Sequence, residues 1–185
     1  SVGLPVPSTL VKIVDLADGK TEVPVGNVGE IVVSGPQVMQ GYHNKPEETA
    51  QVFHEDEGRR WLHMGDVGRM DEDGFLYLVD RTKDMIIVGG YKVFSTEVEN
   101  VMHGHPAIEM CAVIGEKNPD RPETEQVKLM IQPKASYEDI PEDKLREEIL
   151  AYAREKLAPY KVPKVVQFLE MPLTAVGKIN KKALR

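Results

Sequence analysis

Residues 142–157 repeat apolar side chains at Leu145, Ile149, Tyr152/Ala153 and Leu157, the spacing of an amphipathic helix buried on one side. Pro159 and Pro163 end it, since a proline ring clashes with the preceding turn and has no N–H to donate. A helix with one apolar stripe must lie on something. The sequence around it offers strands: 112–114 and 127–132 before it, and 165–169 after it. Residues 1–80 are different in kind, reading as short strands at 10–14, 30–34, 61–64 and 75–79 with Asp18-Gly19 and Asp73-Gly74 as turn signals. The expected fold class is α+β, with a mostly β first part.

Between the two parts, 85–88 and 91–94 flank Gly89-Gly90. Two glycines have the φ freedom that a tight hairpin link requires, so a β-hairpin is expected. A helix should follow it, with Ser95 or Thr96 as cap, Thr96 and Glu99 at capping-box spacing, and Gly104 closing it.

At 185 residues and 41% hydrophobic content the chain can build a packed core. Its net charge of -7 argues against a nucleic-acid partner or an anionic membrane surface. Residues 161–185 run the other way, with Lys161, Lys164, Lys178, Lys181, Lys182 and Arg185 against Glu170 alone, which fits either a phosphate-bearing ligand or a solvated tail. The single cysteine, Cys111, lies in an apolar run that reads as a buried strand; no intrachain disulfide can form, which fits a reducing, cytoplasmic setting. No apolar run approaches the length of a transmembrane segment. His103 and His105 flank Gly104 without a third ligand at convincing spacing, so no metal site is expected and both read as helix-end residues beside the negative end of the dipole. The eight methionines form no stripe on any one helix.

Four segments occur in an order that narrows the reading. They are Gly29-Glu30-Ile31 through Gly35, with Gly41-Tyr42 and Pro46-Glu47-Glu48-Thr49; Trp61-Leu62-His63-Met64-Gly65-Asp66; Asp80-Arg81-Thr82-Lys83-Asp84 through Gly89-Gly90-Tyr91-Lys92 to Glu97-Val98-Glu99; and Pro172-Leu173-Thr174-Ala175-Val176-Gly177-Lys178-Ile179. Together they resemble the signature motifs of the adenylate-forming superfamily of acyl-CoA ligases, luciferases and peptide-synthetase adenylation domains, most closely a fatty acyl-CoA ligase. The resemblance implies a β-rich remnant of a large N-terminal domain over residues 1–82, followed by a small, mobile α+β C-terminal lid over 83–185. It also implies two half-reactions, in which a carboxylate attacks the α-phosphate of ATP with Mg2+ to give acyl-AMP, and CoA then displaces AMP.

Each motif then acquires an expected role. Asp66 would accept hydrogen bonds from both ribose hydroxyls of the nucleotide, or it is a turn aspartate capping local amides. Met64 stands where the family usually has threonine, so no hydroxyl contact is expected there. Arg81 would add a donor to the ribose, or it is a salt-bridge arginine between Asp80 and Asp84. Lys83 is the implied hinge, where one residue's dihedrals absorb a domain rotation, or a surface lysine in a linker. Gly89 and Gly90, with Tyr91 beside them, are the implied thioester-forming loop presented to the CoA arm, although glycine there also serves turn geometry alone. Lys178 is the implied catalytic residue, its ammonium neutralising charge that builds at the α-phosphate, with Gly177 giving it a flexible loop.

The chain opens at Ser1 with no initiator methionine and lacks the phosphate loop and acyl pocket that the resemblance places upstream. It is therefore expected to be a cut from a larger protein and inactive alone, with surface left uncovered that favours self-association. Two other readings share the motifs or the fold: an aryl-CoA ligase or peptide-synthetase adenylation domain, and a non-catalytic module binding a nucleotide or a partner.

Overall fold

The computed structural model describes residues 1–137 and 139–185, which divide into two compact units, Ser1–Lys83 and Asp84–Arg185. The division falls one residue after the 82/83 boundary expected from the motifs.

The first unit contains strands β1 (Leu10–Val14), β2 (Gly29–Ser34), β3 (Phe53–Asp56), β4 (Arg59–Met70) and β5 (Leu76–Arg81), with a short helix α1 (Pro46–Gln51) before β3. Every pairing is antiparallel, in the order β1-β2-β4-β3, and the long β4 also pairs with β5. Successive side chains on a strand point to opposite faces, so neighbours in sequence serve two separate clusters. Ile13, Ile31 and Leu76 pack together in one, while Val14, Val32 and Trp61 pack in the other. Both signalled turns form: Asp18 Oδ1 accepts from the Lys20 and Thr21 amides (2.8 and 2.9 Å) after β1, and in the β4–β5 connection around Asp73-Gly74 it is the preceding Asp71 whose Oδ1 accepts from the Phe75 amide (2.8 Å).

The second unit starts with the hairpin β6 (Ile86–Val88) and β7 (Tyr91–Val93) and continues through α2 (Ser95–Met102), β8 (Ile108–Lys117), β9 (Glu125–Pro133), α3 (Glu142–Lys156), β10 (Val165–Phe168) and a last turn of helix, α4 (Lys181–Leu184). The sheet order is β10-β9-β8, antiparallel between β8 and β9 and parallel between β9 and β10. Helix α3 buries Leu145, Ile149 and Ala153, as its apolar spacing requires, and a 3-10 turn at Pro159–Lys161 separates it from β10. These residues join Val98 and Met102 of α2 and Cys111, Val113, Leu129 and Ile131 of the sheet in one core. Burying one such aliphatic side chain is worth about 1.5–3 kcal/mol. The alternate residues Ala112, Ile114 and Met130 point to the sheet's other face, where Met171 is buried on them and Ile179 and Leu184 pack alongside. The chain's last segment is thus a cover for this sheet.

Three local expectations are corrected. Helix α2 begins at Ser95 with Phe94 at the cap position, so Thr96 and Glu99 do not form a capping box. Gly104 does follow the helix end directly, its amide donating to the Val101 carbonyl at 3.1 Å, but without a left-handed φ; its lack of a side chain instead leaves room for the hydroxyl of Tyr152, which would lie 2.5 Å from any added Cβ. His105 is not a helix-end cation but a buried ring, edge-on to Tyr152 with centroids 5.2 Å apart and accepting from the Ala107 amide at 3.2 Å. Burial pushes its pKa below the ordinary value, opposed by the charge of Glu148. No helix among the described residues is long and apolar enough to cross a membrane.

Candidate functional site

Each of the two units carries some of the residues that the motifs point to. On the first, Asp66 and Arg81 are register partners across β4 and β5, and Arg81 Nε lies 3.5 Å from Asp66 Oδ1. The sheet brings together two residues that the motifs quoted separately. Gly65 precedes Asp66 with φ of +71°, a conformation in which an L side chain is strained, and this irregularity in β4 sets the direction of the next residue. Asp66 keeps 27% of its side chain exposed and Arg81 62%, so the carboxylate retains acceptor capacity beside a guanidinium that supplies donors. Such a pair can grip a vicinal diol. Arg81 does not bridge Asp80 and Asp84: its backbone amide donates to Asp80 Oδ1 (2.8 Å), and Asp84 pairs with Arg185. Met64 is exposed and offers only an apolar contact.

Beside this pair a cavity of about 610 Å³ is lined by Glu30, His63, Gly65, Thr82 and Lys83, among others. A hydrogen-bonded chain runs along it: Glu30 Oε2 to His63 Nδ1 at 2.9 Å, and His63 Nε2 to His54 Nδ1 at 2.9 Å. Burial lowers the pKa of His54, with the adjacent His63 reinforcing it. In the sequence Glu30 and His63 stand only as members of their motifs. Their contact comes from the β2–β4 pairing, for which the one available signal was period-two alternation. Lys83 lies in the 3-10 turn Thr82–Asp84, exposed, as the last residue of the first unit.

On the second unit, Gly89 and Gly90 adopt φ of +56° and +86°, turning the chain directly from Val88 to its partner Tyr91. An added Cβ would meet nothing within 4 Å at either glycine, so within this chain the requirement is one of dihedral angle, and open space stands in front of the tip. The tip is braced: Thr124 Oγ1 accepts from the Gly89 amide (2.7 Å) and donates to the Ile87 carbonyl (2.9 Å). Tyr91 is 61% exposed and stacks on Tyr160, centroids 4.7 Å apart.

Lys178 is exposed on a tight turn. Thr174 and Lys178 are tied by the Thr174 amide to the Lys178 carbonyl (2.7 Å) and the Lys178 amide to Thr174 Oγ1 (3.1 Å), and the Gly177 amide donates to the Thr174 carbonyl (2.9 Å). Gly177, at φ +77°, therefore closes a hydrogen-bonded turn; the flexible loop expected there is not what the chain builds. Lys178 and Lys181 differ sharply. The Lys178 ammonium makes no ion pair among the described residues, whereas Lys181 Nζ sits 2.7 Å from Glu99 Oε1 and 2.8 Å from Ser95 Oγ. No group of three His, Cys, Asp or Glu side chains that could hold a metal ion exists among the described residues.

The model of the AMP-binding enzyme C-terminal domain matches residues 97–178, and that of the AMP-binding enzyme matches residues 1–43. The long-chain-fatty-acid–CoA ligase of Bacillus subtilis (strain 168) is 45% identical over 185 residues, covering all of this chain and 31% of the ligase. A feruloyl-CoA synthase of Amycolatopsis sp is 45% identical over 167 residues, covering 88% of this chain and 31% of the synthase. Among solved structures, ATP-bound MatB from Rhodopseudomonas palustris superposes with a TM-score of 0.86 at 30% identity, over 100% of this chain and 35% of that one. The o-succinylbenzoate CoA synthetase of Bacillus subtilis, in complex with its acyl-adenylate intermediate, does so with a TM-score of 0.77 at 31% identity, over 98% of this chain and 34% of that one. The chain thus spans about a third of the length of the relatives it matches.

Proposed function

We propose, because this chain belongs to the adenylate-forming AMP-binding enzyme family, that the protein containing it is an acid–thiol ligase that activates a fatty acid as acyl-AMP and passes the acyl group to CoA. The observation that carries the substrate class is the similarity to a long-chain-fatty-acid–CoA ligase along the whole chain at 45% identity. An aryl carboxylate is the second reading, supported by equal identity to a feruloyl-CoA synthase over a shorter stretch.

The residues divide the work as follows. Asp66 accepts from the ribose hydroxyls of ATP and Arg81 adds a donor, their cross-strand contact holding both in place. Lys178 brings an uncommitted ammonium to the α-phosphate as the carboxylate oxygen attacks and pyrophosphate leaves, offsetting charge that builds at phosphorus. Lys83 is the pivot by which one lid serves both half-reactions, and the Gly89-Gly90 tip with Tyr91 faces the thiol arm of CoA in the second. Mg2+ would enter with ATP and be held mainly by the part of the protein upstream of this chain, since no group of three His, Cys, Asp or Glu side chains that could hold a metal ion exists among the described residues. The free thiol of Cys111 accords with a cytoplasmic setting.

The test is acid-dependent exchange of pyrophosphate into ATP by the full-length protein with Lys178→Ala. Loss of one preorganised charge donor is expected to slow exchange by about 10² to 10³-fold. Exchange at the wild-type rate would overturn the assignment of Lys178, and absence of exchange by the wild type with any carboxylate would leave only a binding module.

A further inference from the structure

The chain beyond β10 returns along the second face of the sheet and ends near where the second unit begins. Met171, Ile179 and Leu184 pack on Ala112, Ile114 and Met130, which seats the segment on either side of the Lys178 turn. The Asn180 amide donates to the Pro172 carbonyl at 2.8 Å, closing the neck of that turn. Three residues after Lys178, Lys181 reaches α2 through Glu99 and Ser95. Only 20% of the Lys181 side chain and 16% of the Glu99 side chain are exposed, so water screens this pair far less than a surface one. Glu99 Oε1 also accepts from the Val113 amide at 2.7 Å, which fixes the carboxylate before the lysine arrives. Arg185 then pairs with Asp84, the first residue of the unit and the neighbour of Lys83 in sequence.

An exposed lysine has four rotatable bonds, so its ammonium is only as well placed as the backbone beneath it. Within three residues of Lys178, a span of at most about 10 Å, the structure supplies a fixed charge pair. We propose that residues 171–185 are a strap that sets the position of Lys178, with Lys181 and Arg185 as positioning residues for adenylation: Lys181 anchors the turn to α2, and Arg185 ties the strap to the residue that follows the pivot. This rests on the reading of Lys178 given above. Lys181 and Arg185 do not themselves touch the reacting atoms. Each acts through the turn.

The experiment compares Lys181→Met and Lys181→Arg in the full-length protein by two readouts. The first is the pair of half-reactions measured separately, pyrophosphate exchange and transfer of the acyl group from preformed acyl-AMP to CoA. Lys181→Met should lower kcat for exchange about tenfold or more with KM for ATP held, leave acyl transfer within about twofold, and Lys181→Arg should restore most of the loss. The second is amide hydrogen exchange, independent of activity, at Thr174, Gly177 and Asn180. Their exchange should quicken in Lys181→Met while that of Leu129 in β9 stays unchanged. Arg185→Ala and Asp84→Ala should each give a smaller loss, and the double variant should be no worse than either single one. Unchanged hydrogen exchange in Lys181→Met overturns the strap whatever Lys178 does. An equal fall in both half-reactions with a lowered melting temperature assigns Lys181 to general stability and overturns the positioning role. If Lys178→Ala is silent while Lys181→Met loosens the turn, the functional reading fails and the mechanical one stands.

Discussion

Gly29 opens the Gly-Glu-Ile motif, and the structure gives a steric reason for its lack of a side chain. A Cβ added there would lie 2.2 Å from the Val14 carbonyl oxygen and 2.9 Å from Ile13 Cγ2, whereas ordinary contact begins near 3.4 Å. The obstructing oxygen is backbone and cannot rotate away, so β1 must lift from β2 by more than about 1 Å at its Val14–Glu30 end. Val14 is fully buried against Val32 and Trp61, so the same displacement opens that cluster. Overpacking and a weakened ladder bond together put the cost of Gly29→Ala at about 2–4 kcal/mol. The chain's single tryptophan, Trp61, lies in the affected cluster and reports on this unit alone. Urea unfolding followed by its fluorescence should show the midpoint falling by about 2 M for a slope typical of a small unit. A change below about 0.5 kcal/mol, the scale of an ordinary surface substitution, would refute the steric argument and leave the motif's glycine unexplained.

Two more outcomes follow from titrating groups that the fold partly or fully desolvates. Burial, helped by His63, holds His54 below its ordinary pKa of 6.5, against the opposing charge of Asp56, and burial does the same for His105. A histidine depressed in the folded state stabilises fully above about pH 6.5, and that contribution is lost as pH falls, because the unfolded chain then binds the extra proton. Urea midpoints should therefore drop between about pH 7.5 and pH 5, by tryptophan fluorescence for the first unit and helical circular dichroism for the second, and a flat profile would contradict the desolvation of the half-buried His54 and the buried His105. Burial, with the charge of Glu99 adding to it, pushes the Cys111 thiol up to about 12, while Lys181 opposes the shift. The native chain should resist a thiol-disulfide reagent at about pH 8 and react once unfolded; prompt native labelling would place this thiol outside the core.

Pattern in the sequence was strongest where a segment answered to one buried face. The spacing of Leu145, Ile149 and Ala153 placed α3 almost to its ends, and Gly89-Gly90 located a hairpin because few other residue pairs tolerate two positive φ angles. Helix α1 has no signature in the sequence since it buries none of its residues, and β3 (Phe53-His54-Glu55-Asp56) has none since its one large apolar side chain carries no alternation. Spacing cannot tell whether the Glu99 carboxylate caps its own helix or reaches out from it; here a backbone amide 14 residues on and Lys181 claim it. The pairing of Lys181 with Ser95, 86 residues away, had no local signature, so a basic tail and a half-buried anchor looked the same. The cross-strand meeting of Asp66 and Arg81 lay within reach of sequence, since both occur in consecutive strands joined by a turn, but it depended on a register that a bulge at Val67/Gly68 shifts.

The parallel pairing of β10 with β9 sets the order in which the second unit can assemble. An antiparallel neighbour closes through a short turn, as β8 does with β9 across residues 118–124, but a parallel one waits for a crossover, here supplied by α3. Loop-closure entropy delays such a contact until the helix has docked. The residues past β10 lie beyond that crossover and pack on β8 and β9 from the sheet's other face, so the turn bearing Lys178 is expected to form in the latest phase of refolding, and a chain caught before it would already be helical yet without that turn in place.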